Sequence, residues 1–391
     1  MPVTIGRRKL MAVLGGAAAT WPLAARAQRG ERKPASASAT AQNDRTSLVI
    51  RPGVECAATA WNHQRLAPNA PIDPASASIV SFLVAQMRAS ATMIYCAPDQ
   101  PLYVVDPSTP TVRVKVVDSD TNPQAAWLQQ FFNAVPMPSP DTFATEGGSD
   151  TEATIYRPAT HEYWDGWLFA KTGAKVTNSI GQLVDEWSIV WGGYESDLRT
   201  NPGWWRIDQA TGYKPGAVAA GIPIATFLVT VGDMKQQEIR HPVGMVIPVS
   251  ATRGGTWNDP PAQRTDGANF GTQFTPEGAI FRLPANLDLN AYSATFWDGV
   301  SVKRLFRLIA EAMQNYGCVI YDQGGNAIMV AEKGDTPQYA SDPYYKDPIV
   351  SQVVGPPTVG GGFANTYILL SDPTVFPWDQ MQLLKMNLVS S

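Results

Sequence analysis

Residues 151–191 read TEATIYRPATHEYWDGWLFAKTGAKVTNSIGQLVDEWSIVW. The runs ATIY, EYWDGWLFA and EWSIVW are rich in β-branched and aromatic residues and are broken by Pro, Gly and Asn; ATFLVTV (225–231) and GMVIPV (244–249) continue the pattern. Short runs of this kind between turn residues predict strands, and a succession of them predicts antiparallel sheets. The reading is a mainly β chain, an antiparallel β-sandwich or jelly roll with a few peripheral helices. Composition agrees: among 391 residues, Gly and Pro supply 32 each and only 16% are charged, more punctuation than a helical bundle absorbs.

Toward the N-terminus, LYVVD (102–106) and TVRVKVV (111–117) bracket Pro107-Ser108-Thr109-Pro110. Val112, Val114 and Val116 alternate with Arg113 and Lys115, so the pair predicts a hairpin. Asp73-Pro74 ahead of Ile79, Phe82, Leu83 and Met87 predicts a helix with Asp as cap and Pro in its first turn. A short helix is expected over 124–132 and a long loop over 135–149, which puts a boundary near 140 between an N-terminal α+β region (48–140) and the main body (141–391). In the second half Val302, Leu305, Phe306, Ile309 and Met313 share a helical face, with Ser301 to cap it and Gly317 to end it, so a helix is expected over 302–316. CVIYD, the turn Gln323-Gly324-Gly325-Asn326 and AIMVAE then predict a terminal hairpin.

At the very start, Arg7-Arg8, a weakly apolar stretch from Leu10 to Leu23 and Ala25-Arg26-Ala27 form a secretory leader over 1–27, followed by a flexible tether over 28–47. Its apolar part is too short to span a hydrocarbon core of about 30 Å. The string resembles twin-arginine leaders, which implies delivery of a folded protein by the export machinery to the periplasm or beyond. The leader holds four basic residues and no acid, so removing it takes the formal charge from −4 to −8. Such a body is ill suited to neutralising phosphates, and no nucleic-acid partner is expected. No transmembrane segment is expected in the mature chain. Of the three cysteines, Cys56 and Cys96 are the pair placed to bridge, and Cys318 sits in an apolar run.

Several separated strings carry a resemblance. HEYWDGWLFA, then AAGIPIATFLVTVGDMKQQEIRHPVGMVIPV, then GAIFRLPANLDLN and YGCVIYDQGGN occur in that order. Over about 150–335 they resemble an uncharacterised family of secreted bacterial β-sandwich proteins, some of them joined to carbohydrate-binding modules. The resemblance implies a sandwich body and life outside the cytoplasm, and it implies no known active site. Where that family has Asp-x-His this chain has Asp150-Thr151-Glu152.

Strand alternation would put His161, Tyr163, Asp165 and Trp167 on one face and Glu162, Trp164 and Leu168 on the other. Aromatic rings beside polar groups suit a sugar cleft, because a flat ring stacks on the apolar side of a pyranose while the polar groups read its hydroxyls. Trp187 and Trp191 alternate in the same way, and Trp204 follows in a Gly/Pro turn, so Tyr163, Trp167, Trp187, Trp191 and Trp204 are the candidate sugar-binding residues. A hydrolase would need two carboxylates about 5–9 Å apart, and a lyase a basic side chain near an acidic sugar. Asp165, Glu186 and His161 are the catalytic candidates on that reading; solvated acids and core tryptophans are the plainer alternative. Only His63, His161 and His241 could offer imidazole to a metal, from three distant segments, so no metal or cofactor is expected. No GxSxG, GxGxxG, GxxxxGK[ST] or HExxH occurs. The reading is an exported protein that binds extracellular or envelope polysaccharide, with a polysaccharide hydrolase or lyase as the alternative and a structural or adhesive surface protein as the third.

Overall fold

A computed structural model describes residues 57, 59–89, 94–95, 98–138, 143–146, 149–292, 303–332, 367–368 and 376–390. The chain divides into two units, 1–48 and 49–391; the leader, the tether, Cys56 and Cys96 lie outside the described residues. Strand residues outnumber helical ones, in several sheets. No helix among the described residues is long and apolar enough to cross a membrane.

The strands that matter for the site are β1 (Leu102–Val104), β2 (Val114–Val116), β3 (Ala153–Arg157), β4 (Glu162–Trp167), β5 (Ala170–Thr177), β6 (Leu183–Ile189), β7 (Trp191–Glu195), β8 (Val243–Pro248), β9 (Ile280–Arg282), β10 (Cys318–Gly324), β11 (Ile328–Met329) and β12 (Gln382–Leu383). A four-stranded sheet has the order β7-β4-β3-β1, a three-stranded sheet β2-β6-β5 and a five-stranded sheet β11-β8-β10-β9-β12. Pairing is mixed and not purely antiparallel: β1 with β3, β2 with β6 and β8 with β10 run parallel. Two expected hairpins are therefore corrected. β1 pairs with β3 and β2 with β6 instead of with each other, and β8 lies between β10 and β11, splitting the terminal pair. The first two pairings draw strands into common sheets from both sides of residue 140.

The helices follow their local signals. In α1 (Ser76–Ala89) Asp73 accepts from the Ala75 amide at 2.8 Å, although the helix begins two residues beyond Pro74. Asn122 caps α2 (Pro123–Gln129), accepting from the Gln124 amide at 2.9 Å. The short α3 spans Val231–Gln236. α4 (Lys303–Asn315) ends where Gly317 takes φ 96° and the amides of Tyr316 and Gly317 both donate to the Ala312 carbonyl. Side chains at the start of α4, Phe306 among them, lie outside the described residues, as does Ser301.

Three apolar clusters fill the body. On β10, Cys318 and Ile320 meet α1 and α4 in the first, while Val319 and Tyr321 enter the second together with Tyr156 of β3 and Tyr163 of β4. Ala153, Ile155 and Trp164, from the other face of the four-stranded sheet, join α2 and the three-stranded sheet in the third. The period of two holds, but both faces of β3 and β4 are covered, as their burial shows. ATFLVTV is corrected too. Residues 217–230 are buried throughout yet form turns, a short 3-10 helix at Ile224–Thr226 and an isolated bridge from Val229 to Ala331.

Candidate functional site

β4 lies between β3 and β7, and the register sets Trp191 opposite Trp167, Gly192 opposite Gly166, and Gly193 opposite Asp165. The glycine at 193 is a spatial requirement, since a Cβ there would fall 2.5 Å from the Trp205 ring. Trp205 lies over this part of the sheet, 5.8 Å from Tyr163 between ring centres. Gly216 meets Trp205 from the covering segment, where a Cβ would stand 2.6 Å from the indole.

Beneath that cover Asp165 is fully buried. Burial pushes its carboxyl up to about 8, against the backbone amides of Ile224, Ala217 and Gly193 and the more distant Arg264 charge, which all favour ionisation. Those amides face the carboxylate without closing to full hydrogen bonds. Arg264 organises the covering segment. Its guanidinium donates to the carbonyls of Ala219 at 2.9 Å, Gly216 and Val218 at 2.8 Å, and Lys214, and it stands 5.6 Å from the centre of the Trp191 ring. Sequence reasoning missed it. The available signal was an arginine in a Gly-free run, QRTD, after the turn Asp259-Pro260-Pro261.

The expected site residues are dispersed. Tyr163 and Asp165 face the second cluster under Trp205 and 217–228, so the open face expected of them is an interior one. Trp187 is buried on the opposite side, packed at 5.1 Å on Phe143. Glu186 sits in the three-stranded sheet, accepting from the Thr172 hydroxyl at 2.8 Å with Arg113 at 3.7 Å. His161 occupies the turn before β4 at φ 60°, its Nδ1 2.9 Å from the Tyr156 hydroxyl. Asp165, Glu186 and His161 thus stand on different elements, and the buried Asp165 offers no acid to a substrate from outside. What the fold does bring together is Trp167 and Trp191, directly opposite on adjoining strands and both half-buried. The Trp167 indole donates to Asp150 at 2.7 Å and the Trp191 indole to the Lys214 carbonyl at 3.2 Å. Tyr213, 4.6 Å away, braces Trp191 further. Trp204 is also half-buried.

One carboxylate group could hold a metal ion. Asp266, Glu277 and Asp322 place oxygens within 4.8 Å of one another. Asp322 also accepts from the Ala219 amide at 3.1 Å and the Gln323 amide at 2.8 Å, and the Gln323 side chain donates to the Asp266 carbonyl at 2.9 Å. An all-oxygen set suits a hard cation such as calcium or magnesium and not zinc. These acids come from two loops and a strand end, so no local spacing betrays them. Comparison of the chain with protein-family models, curated proteins and solved structures finds no match, and the site is read from its geometry alone.

Proposed function

We propose that the chain is an exported polysaccharide-binding protein, with a β-sandwich body and a sugar-contact surface centred on Trp167 and Trp191. The observation that carries this reading is the registered pair itself: two half-buried indoles facing each other across neighbouring strands, the N–H of Trp167 held by Asp150 and that of Trp191 by the Lys214 carbonyl. Rings fixed in this way lose little freedom on binding and offer apolar surface to a pyranose. Since Trp191 is braced by Tyr213 and Arg264, Trp167 is the ring on which a sugar would stack, with Trp191 beside it. Arg7-Arg8 and Ala25-Arg26-Ala27 support delivery outside the cytoplasm.

The test is affinity electrophoresis of the mature protein through gels containing a panel of plant, algal and bacterial polysaccharides. Retardation by at least one polymer is expected, and Trp167→Ala should weaken it by about tenfold, the effect of removing one aromatic ring from a binding site. A folded protein that no polymer retards would overturn the reading.

A further inference from the structure

We propose that the polysaccharide taken by this surface is neutral, its hydroxyls donating to the Asp150 carboxylate at the edge of the Trp167 ring. This rests on the polysaccharide-binding reading and names its ligand class. The Trp167 indole donates to Asp150 Oδ1 at 2.7 Å, which puts the carboxylate beside the nitrogen edge of the ring. Asp150 is half-buried; among the described residues nothing donates to its Oδ2, and that oxygen keeps contact with solvent. The chain around it is held in place. The Asp150 carbonyl accepts from the Leu168 amide at 2.9 Å, and the amides of Asp150 and Thr151 donate to Glu146 Oε1 at 3.1 and 2.9 Å.

A pyranose stacked on an indole carries its equatorial hydroxyls past the rim of the ring, and Oδ2 is the acceptor they meet there. A hydroxyl brings a donor to that oxygen, and a hydrogen bond to a charged group is about twice as strong as one between neutral groups. A uronate or sulfated sugar brings a second anion to the same place. It would face the Asp150 carboxylate and, behind the Asp150 and Thr151 amides, that of Glu146, in a body of negative net charge. Asp150 forms no ion pair among the described residues that would offset this repulsion.

Affinity electrophoresis and calorimetry should compare xyloglucan, galactomannan and dextran with polygalacturonate, alginate and chondroitin sulfate, using wild type, Asp150→Asn and, as a control for general charge, Asp288→Asn, an exposed acid on the loop that meets α4. The expected result is at least one neutral polymer bound about tenfold more tightly by wild type than any anionic one, the size of one charge-assisted hydrogen bond. Any wild-type retardation by anionic polymers should rise with salt, as screening lifts the repulsion. Asp150→Asn keeps an oxygen for the Trp167 indole but turns the second acceptor into a donor and removes the charge. It should weaken neutral binding about tenfold and close the gap between the two classes, while Asp288→Asn changes neither. Anionic polymers bound by wild type as tightly as neutral ones, neutral affinity unchanged in Asp150→Asn, or equal losses in the two variants overturns the neutral class read by Asp150 and leaves polysaccharide binding standing. Retardation by no polymer overturns both.

Discussion

The five-stranded and four-stranded sheets cover their faces by different means. On the first, Cys318 and Ile320 pack against α1 and α4, regular elements whose backbone polar groups are satisfied within themselves. On the second, Tyr163 and Asp165 lie under residues 217–228, a buried stretch with almost no regular structure. A buried irregular chain must find partners for its amides and carbonyls elsewhere. Arg264 donates to the carbonyls of Val218 and Ala219 and, just ahead of the stretch, to those of Lys214 and Gly216, β10 supplies the Tyr321 carbonyl to the Ala220 amide, and the Tyr163 hydroxyl accepts from the Ala225 amide at 3.2 Å. Polar side chains on this side take the place that ladders hold on the other.

The sharpest way to break the comparison is Arg264→Ala. Four carbonyls of the largely buried 214–219 stretch lose a charged donor at once, and the loss should be on the order of 4 kcal/mol, read from urea unfolding. A cost under about 1 kcal/mol would mean that the segment holds itself in place. Next in size is Ile309→Ala in α4, where a cavity opens in the first cluster and about 3 kcal/mol should be lost. The two variants should differ in kind as well. Arg264→Ala should raise amide exchange across 214–228 with α4 still protected, and Ile309→Ala should lower stability without singling out that segment.

The same contrast explains what was legible in the sequence. α1 and α4 were readable because caps and apolar spacing are local: Asp73 and Gly317 both act within a turn of their helix, as Asn122, which was not singled out in the sequence, does for α2. The strands of the four-stranded and five-stranded sheets were readable as strands. Their partners were not, since β1 pairs with β3 some fifty residues on and β8 enters between β10 and β11, and alternation carries no information about which strand comes alongside. ATFLVTV has strand composition, but apart from the single bridge at Val229 its amides are met by turns and side chains and not by a ladder. For the site, Trp167 and Trp191 were named from alternation, and the fold sets them opposite each other. Alternation also placed Tyr163 and Asp165 with Trp167, and it cannot tell whether a face is open or covered. Arg264 and Lys214 escaped notice because their role depends on loops meeting in space.

Asp165 sharpens the comparison through pH. Burial raises its carboxyl to about 8, against 3.8 in the unfolded chain, so between those values the folded protein keeps a proton that the unfolded chain has released. Unfolding then releases a proton, and raising the pH favours it. The stabilising contribution of Asp165 is full below about pH 4, falls as the pH rises toward 8, and changes no further above it. Stability measured by urea unfolding across this window should decline by about 2 kcal/mol in wild type once local relaxation is allowed for, and this component should vanish in Asp165→Asn. An identical slope in both proteins would show that the carboxylate is better solvated by its three amides than its burial implies.

The smallest expected effect on stability belongs to Trp167→Ala, and it separates covered from open surface on one strand. Trp167 and Asp165 are two residues apart on β4 and point to the same side, yet Asp165 is sealed under Trp205 while Trp167 is half-exposed at the strand end. Removing a half-buried ring forfeits part of its apolar burial and the indole bond to Asp150, about 1 kcal/mol in all. A fully buried aromatic would cost about 3–5 kcal/mol, which is the expectation for Trp187→Ala in the third cluster. If Trp167→Ala costs as much as Trp187→Ala, Trp167 belongs to the covered interior and has no surface to give a sugar. If it costs about 1 kcal/mol and retardation in polysaccharide gels falls about tenfold, the boundary between scaffold and binding surface runs along β4 between residues 165 and 167.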